Sequence, residues 1–180
     1  MPAPYIDKTV YANWNAMMIS SLLEASIVLD NEDYRNRALR AIDFLIDNLF
    51  DKCVYHYFDG EKHLPGLLSD QACTLKALLD AFEITQERKY IDYAEQLAKW
   101  CLANLKDDKG FFDKSGKGVG NLAISNKPIT ENSVAAECFL RLSFFTGNEE
   151  YRKIAEDTLA VFSFSYADYG IHSAAFAIAL

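Results

Sequence analysis

An internal repeat constrains this chain more than anything else in it. Three segments lie on one another: WNAMMISSLLEASIVLDNEDYRNRALRAIDFLIDNLF from Trp14, DQACTLKALLDAFEITQERKYIDYAEQLAKWCLANL from Asp70, and ENSVAAECFLRLSFFTGNEEYRKIAEDTLAVFSF from Glu131. The amide residues Asn15, Gln71 and Asn132 correspond at separations of 56 and 61, and Tyr34, Tyr90 and Tyr151 repeat the same two separations. Two independent markers keeping one spacing mean that each unit has a fixed internal length and that variation lies between units. Such self-similarity is the signature of stacked supersecondary units. The period exceeds the roughly 34 residues of tetratricopeptide repeats and the roughly 40–47 of HEAT repeats; it suits the longer hairpins of α/α toroids.

Within each unit the apolar residues recur at helical steps, as in Ala72, Leu75, Leu79 and Phe82 or Tyr90, Tyr93, Ala94, Leu97 and Cys101. The connectors LDNEDY, TQERKY and TGNEEY are short and polar, then aromatic, which predicts a tight turn into an acid-rich helix start with the tyrosine locking the turn to the hairpin. First helices carry few charges and should be inner; second helices are amphipathic and should be outer. The expectation is an all-α fold, one domain over 1–180, with hairpins at about 13–50, 69–105 and 131–164 and a fourth inner helix from about 170. Because the last apolar run, IHSAAFAIAL, stops at Leu180, the reading is of a portion of a larger toroid, with self-association through the unfinished C-terminal hairpin as an alternative.

Composition narrows the function classes. With 51% hydrophobic and 24% charged residues the chain can build a core. Its net charge of -8, with no basic run, speaks against nucleic acid as a partner. No apolar stretch is long enough to span a membrane and the start lacks the pattern of a signal peptide, so a cytoplasmic protein is expected. Cys53, Cys73, Cys101 and Cys138 form no C-x-x-C pair and read as free buried thiols, and His56, His63 and His172 are too dispersed for a metal site. Nothing calls for a cofactor.

The long connections, about 51–69 and 106–130, all fall at the N-terminal ends of the inner helices, where a rigid scaffold presents variable loops beside inward-pointing amide donors. Both carry aromatic-Phe-Asp strings: Tyr57, Phe58 and Asp59 in the first, Phe111, Phe112 and Asp113 in the second. Aromatic faces beside carboxylates and amides match a sugar, though such residues can equally fold the loops and cap turns. The same rim collects Trp14 with Asn15, Asp70 with Gln71, and Glu131 with Asn132. Asp70 and Glu131 are candidates for an acid/base pair, with helix capping the competing role. His172, near the start of the fourth inner helix, is a candidate general base, although a lone histidine on an apolar helix is commonly a core residue. Trp14, Asn15, Tyr57, Asp59, Gln71, Phe112, Asp113 and Asn132 complete the candidate binding set.

The ordered strings PYIDKTVYANWNAMMISSLLEA, LLSDQACTLKALLDAFEIT, KGFFD and ENSVAAECFLRLSFFTGNEEYRKIAE resemble the helical region of the thioredoxin-domain protein family related to spermatogenesis-associated protein 20. That resemblance implies a thioredoxin-like domain in the full-length protein, followed by an α/α toroid similar to N-acylglucosamine 2-epimerases and six-hairpin glycosidases, of which this chain is one part. No redox activity carries over, since the chain holds no C-x-x-C. Family members often show two acidic residues and a lysine after the proline; this sequence has Asp7, Lys8 and Thr9, so the second acid is missing. Two functions follow as expectations: a carbohydrate-active domain, epimerase or glycosidase-like, with its site at the inner-helix N-termini, or a non-catalytic helical module partnering the thioredoxin-like domain. A fold alone does not choose between them.

Overall fold

The computed structural model describes residues 4–116, 118 and 120–180. Among them the chain is all-α apart from short strands. Helix α1 (Ala12–Val28) pairs with α2 (Glu32–Leu49), α3 (Leu68–Thr85) with α4 (Arg88–Asn104), and α5 (Ile129–Thr146) with α6 (Glu149–Ala160); a short α7 (Ala174–Ala179) follows. Packing runs α1 on α3, α3 on α5 and α5 on α7, so the first helix of each hairpin forms an inner row and α2, α4 and α6 lie outside.

Local chemistry explains the hairpins. Asn31 Oδ1 accepts the backbone N–H of Asp33 at 2.9 Å and of Tyr34 at 3.4 Å to open α2, and Asn148 Oδ1 accepts that of Glu150 at 3.0 Å to open α6. Four residues before each repeated tyrosine stands the residue that reverses the chain in the left-handed region: Asp30 (φ 49°), Gln86 (φ 57°) and Gly147 (φ 72°). Glycine meets that requirement at no steric cost, which Gln86 must bear. Tyr90 and Tyr151 are buried, and each also ties its outer helix to the preceding one: Tyr90 Oη donates to Asp43 at 3.3 Å and Tyr151 Oη to Glu95 at 3.4 Å. Tyr34 is half-buried.

The main core cluster reaches from Ala12 to Ala155, with Ile19, Leu23, Ile42, Leu75, Leu78, Leu79 and Phe139 fully enclosed, and a small second cluster joins Ile129, Phe162 and Phe176. Phe111 stacks on Phe139 with ring centres 5.4 Å apart, anchoring an inter-hairpin loop on the inner row. The run from Tyr166 to Ser173 is 3-10 turns broken at Gly170 (φ 54°, ψ -125°), and α7 begins only at Ala174. Among the described residues no helix is long and apolar enough to cross a membrane.

The long connections, read from sequence as loops, contain strands. β1 (Val10–Tyr11), β2 (Tyr55–Phe58) and β3 (Lys62–Pro65) form an antiparallel sheet with Val10 opposite Phe58, Tyr11 opposite Tyr57 and Tyr57 opposite His63. β4 (Lys106–Asp107) and β5 (Gly110–Phe111) form a second, smaller ladder. The aromatic run YHYF favours extended backbone because rings pack well on a pleated surface. The two connections also meet: Leu67 pairs with Lys114, and the Leu68 N–H donates to the Asp113 carbonyl at 2.9 Å.

Candidate functional site

The repeated amides hold the rim together. Gln71 is 0% exposed; its Oε1 accepts the Val54 N–H at 2.8 Å and its Nε2 donates to the carbonyls of Val54 (2.9 Å) and Leu67 (3.0 Å). Asn132, also 0% exposed, does the same one unit later: Oδ1 accepts from Phe111 N–H at 2.7 Å, and Nδ2 donates to the carbonyls of Phe111 (2.9 Å) and Pro128 (2.8 Å). Asn15 keeps the last of these bonds, donating to the Tyr11 carbonyl at 2.8 Å. The sequence-level assignment of Gln71 and Asn132 to a ligand is therefore corrected: both amides are sealed in and spend their polar atoms on the backbone, as buried amides must.

The residue before each amide has a different fate in each unit. Trp14 is 63% exposed on the free edge of α1, where its ring leans on Tyr11 at 4.9 Å. Asp70 is 0% exposed in the first turn of α3. His56 Nδ1 donates to its two carboxylate oxygens at 3.1 and 3.0 Å, and the Asn13 N–H at the start of α1 lies close enough to favour the charged form. Burial pushes the Asp70 carboxyl above the usual range, against the pull of His56 and of that N–H. The imidazole, 24% exposed, has Tyr11 edge-on at 5.4 Å, and among the described residues its Nε2 has no hydrogen-bond partner. A buried carboxylate on Nδ1 fixes the tautomer and leaves Nε2 as a proton acceptor, which is how a general base is held.

This alters the role read for Asp70: enclosed as it is, the carboxylate meets a substrate only through His56. His56 stands two residues beyond Val54, which Gln71 clamps, a placement that no sequence spacing marks, and the sequence reading gives the base to His172 instead. His172 is exposed in the 3-10 segment; its carbonyl accepts the Thr130 hydroxyl at 3.3 Å, and among the described residues its ring makes no hydrogen bond or ion pair. The structure does not bring it to Asp70.

The remaining candidates scatter. Tyr57, on the central strand with the His56 ring at 6.2 Å, stacks on His63 of β3 at 4.6 Å, and His63 Nε2 reaches the exposed Asp59 at 3.0 Å. Phe112 lies under the Lys127 ammonium at 4.9 Å. Asp113 turns onto its own loop, Oδ1 accepting the Asn126 N–H at 3.1 Å. The two aromatic-Phe-Asp strings are not equivalent in space, because the clamped residues, Val54 and Phe111, put His56 rather than Asp59 in register with Asp113.

Glu131 faces a groove of about 1050 Å³ along the inner row. Asn13, Ser20 and Glu24 of α1, Ser69, Lys76 and Asp80 of α3, and Thr130 and Glu131 of α5 supply its polar groups, over apolar Met17, Ala72 and Val134. The buried Ser20 hydroxyl has no partner among the described residues. Cys73, within the groove, reports both rim acids: burial first, then the charges of Asp70 and Glu131, push its thiol up to about 11. Deeper in, Arg141 reaches Asp80 (2.8 Å), Glu83 (3.1 Å) and Glu137 (3.8 Å), while Lys76 lies 3.3 Å from Asp80 and 3.7 Å from Glu137. The four cysteines are free, and among the described residues no cluster of three metal-ligating side chains occurs.

No family model matches the chain. It is similar to spermatogenesis-associated protein 20 of Homo sapiens, 28% identical over 90% of the chain, and to that of Rattus norvegicus, again 28% over 90%. The chain spans 23% of the length of these curated relatives, and the resemblance read from the ordered motifs holds. Among solved structures it resembles a family 76 glycoside hydrolase (mannosidase) of Bacteroides thetaiotaomicron, TM-score 0.75, 17% identical, covering 88% of this chain and 45% of that one. It also resembles an unsaturated glucuronyl hydrolase specific for heparin, TM-score 0.74, 22% identical, covering 92% and 49%. The cellobiose 2-epimerase of Bacillus thermoamylovorans gives TM-score 0.72, 18% identical, covering 87% and 45%. At these identities the likeness establishes the fold, an α/α toroid architecture, and not the reaction.

Proposed function

We propose that this chain is the sugar-handling part of a carbohydrate-active α/α toroid, epimerase or glycosidase-like, with its site at the N-terminal ends of the inner helices. The observations that carry this reading are the buried Asp70 carboxylate holding His56, and a large groove, reaching Ser69 next to Asp70 in the chain, lined by hydroxyls, carboxylates and apolar patches. Polar groups that accept and donate suit sugar hydroxyls, and Met17, Ala72 and Val134 suit C–H faces. In this reading His56 moves the proton, Asp70 positions it, and Glu131 is the second carboxyl group facing the ligand. The sugar-active names among the structural neighbours support the class of substrate; the reaction rests on the site.

The test is a thermal-shift screen against mono- and disaccharides and N-acetylated sugars, followed by turnover of whatever binds. A ligand that binds only the folded state raises the melting temperature. The expected outcome is a saturable rise, with turnover falling about 100-fold or more in His56→Gln and Glu131→Gln while the fold persists. Unchanged turnover in both variants would remove the acid/base assignment.

A second reading is favoured by one observation: α1 exposes Trp14, Met18 and Val28 on its outward edge, and Ile178 and Leu180 are exposed at the other end of the inner row. Apolar surface of that kind suits a contact with a thioredoxin-like domain or with a second copy. Sedimentation of a clean monomer, with no association to such a domain, would count against it.

A further inference from the structure

We infer that the groove takes uncharged rather than acidic sugars, an inference that rests on the carbohydrate reading above and narrows its substrate class. Two of the three cations in and behind the groove are already committed. Lys76 Nζ sits 3.3 Å from Asp80 and 3.7 Å from Glu137, and Arg141 behind it engages Asp80 at 2.8 Å and Glu83 at 3.1 Å. Those two cations face three carboxylates, so the half-buried network keeps a net negative charge. Arg35, the other groove-lining cation, pairs with no acid among the described residues, but it stands in the first turn of α2, beside the C-terminal end of α1 and so away from the rim turns of α1, α3 and α5.

The rim end is no better supplied. Its polar lining is neutral Asn13, Ser69 and Thr130 with anionic Glu131, and buried Asp70 lies behind. Helix N-termini are the obvious source of positive potential at this rim, but acids answer them already. Asp70 sits in the first turn of α3, with the Asn13 N–H of the first turn of α1 favouring its charged form, and Glu131 sits in the first turn of α5. A uronate carboxylate entering at the rim would lose water without meeting an unpaired cation there, and would approach Glu131. A neutral sugar avoids that cost, because its hydroxyls donate to Glu131 and Asp80 and accept from Ser69 and Asn13.

The experiment compares matched pairs on this chain by calorimetry: glucose with glucuronate, and cellobiose with cellobiouronate, at low and high salt. The expected result is that a neutral member binds and its acidic counterpart binds at least about tenfold more weakly. The gap should narrow as salt screens the groove and should narrow again in Glu131→Gln. An acidic member binding as tightly as its neutral counterpart, or tighter, would overturn this inference while leaving the carbohydrate reading standing. If neither member of any pair binds the folded chain, the carbohydrate reading itself fails and takes this inference with it.

Discussion

The two junctions between successive hairpins use one scaffold for different chemistry. In each, a buried amide on the incoming inner helix grips the backbone of the preceding connection: Gln71 holds Val54, 17 residues earlier, and Asn132 holds Phe111, 21 residues earlier. Two positions past the gripped residue, the first junction places His56, which turns inward onto Asp70. The second places Asp113, which turns onto its own loop and accepts the Asn126 N–H. The repeat thus dictates where the chain runs, and the side chain at one register position decides whether the junction is a candidate proton-transfer site or a fastening.

If the amide clamps are equivalent, removing either one should cost the same. Gln71→Ala and Asn132→Ala each abolish three hydrogen bonds and leave a buried N–H and C=O unpaired, so each should lose about 3 kcal/mol in denaturant unfolding. A large loss in one and a small loss in the other would break the equivalence. Gly110→Ala sharpens it further. Gly110 has φ 109°, and a Cβ there would lie 3.0 Å from Asn132 Oδ1, so the substitution should cost about 1–3 kcal/mol. Cys53, which precedes Val54 in the first junction, carries a side chain at that place, so a glycine before the gripped residue belongs to the second clamp and not to the first.

The chemical difference between the junctions predicts unequal effects two positions on. His56→Ala leaves the Asp70 carboxylate enclosed without its imidazole partner and should cost about 1–3 kcal/mol. Asp113→Ala removes a half-exposed bond to Asn126 and should cost about 0.5–1 kcal/mol. Equal losses measured by thermal unfolding would mean that the first junction is a fastening like the second.

Much of this was legible before any coordinates. The matched 56 and 61 spacings and the helical apolar steps carry the all-α toroid class, because an inner helix must bury residues all along its length while an outer one keeps a solvated face. The candidate site was less legible. An amide at a helix start reads the same whether it faces a sugar or a backbone strand, and only the short strands, whose pairing joins residues far apart in sequence, show that Gln71 and Asn132 face backbone. His56 and Asp70 are 14 residues apart, a separation that no helical or strand period marks. The shared aromatic-Phe-Asp string misled in the same way: it aligns Asp59 with Asp113, whereas the hydrogen bonds align His56 with Asp113.

The finest test sets the acids of the two junctions against each other through pH. Burial raises the Asp70 carboxyl above its ordinary 3.8, so the folded state holds that proton more firmly than the unfolded chain. Its stabilising contribution is full below pH 3.8 and is lost as pH rises through the raised value. Asp107 in the second junction runs the other way. Its slight burial opposes ionisation, but Lys127, at 2.6 Å, and the Lys109 N–H outweigh that and hold the carboxyl below 3.8. Its contribution is present above pH 3.8 and is lost as pH falls through the lowered value. Unfolding curves from acid to neutral pH should therefore show Asp70→Asn gaining on the parent chain as pH rises, and Lys127→Met losing no more than about 0.5 kcal/mol, since both side chains stay partly open to solvent and salt screens the pair. If both variants shifted in the same sense, the buried acid of the first junction would be titrating like the surface acid of the second, and the enclosure that makes Asp70 a positioning group would be lost in solution.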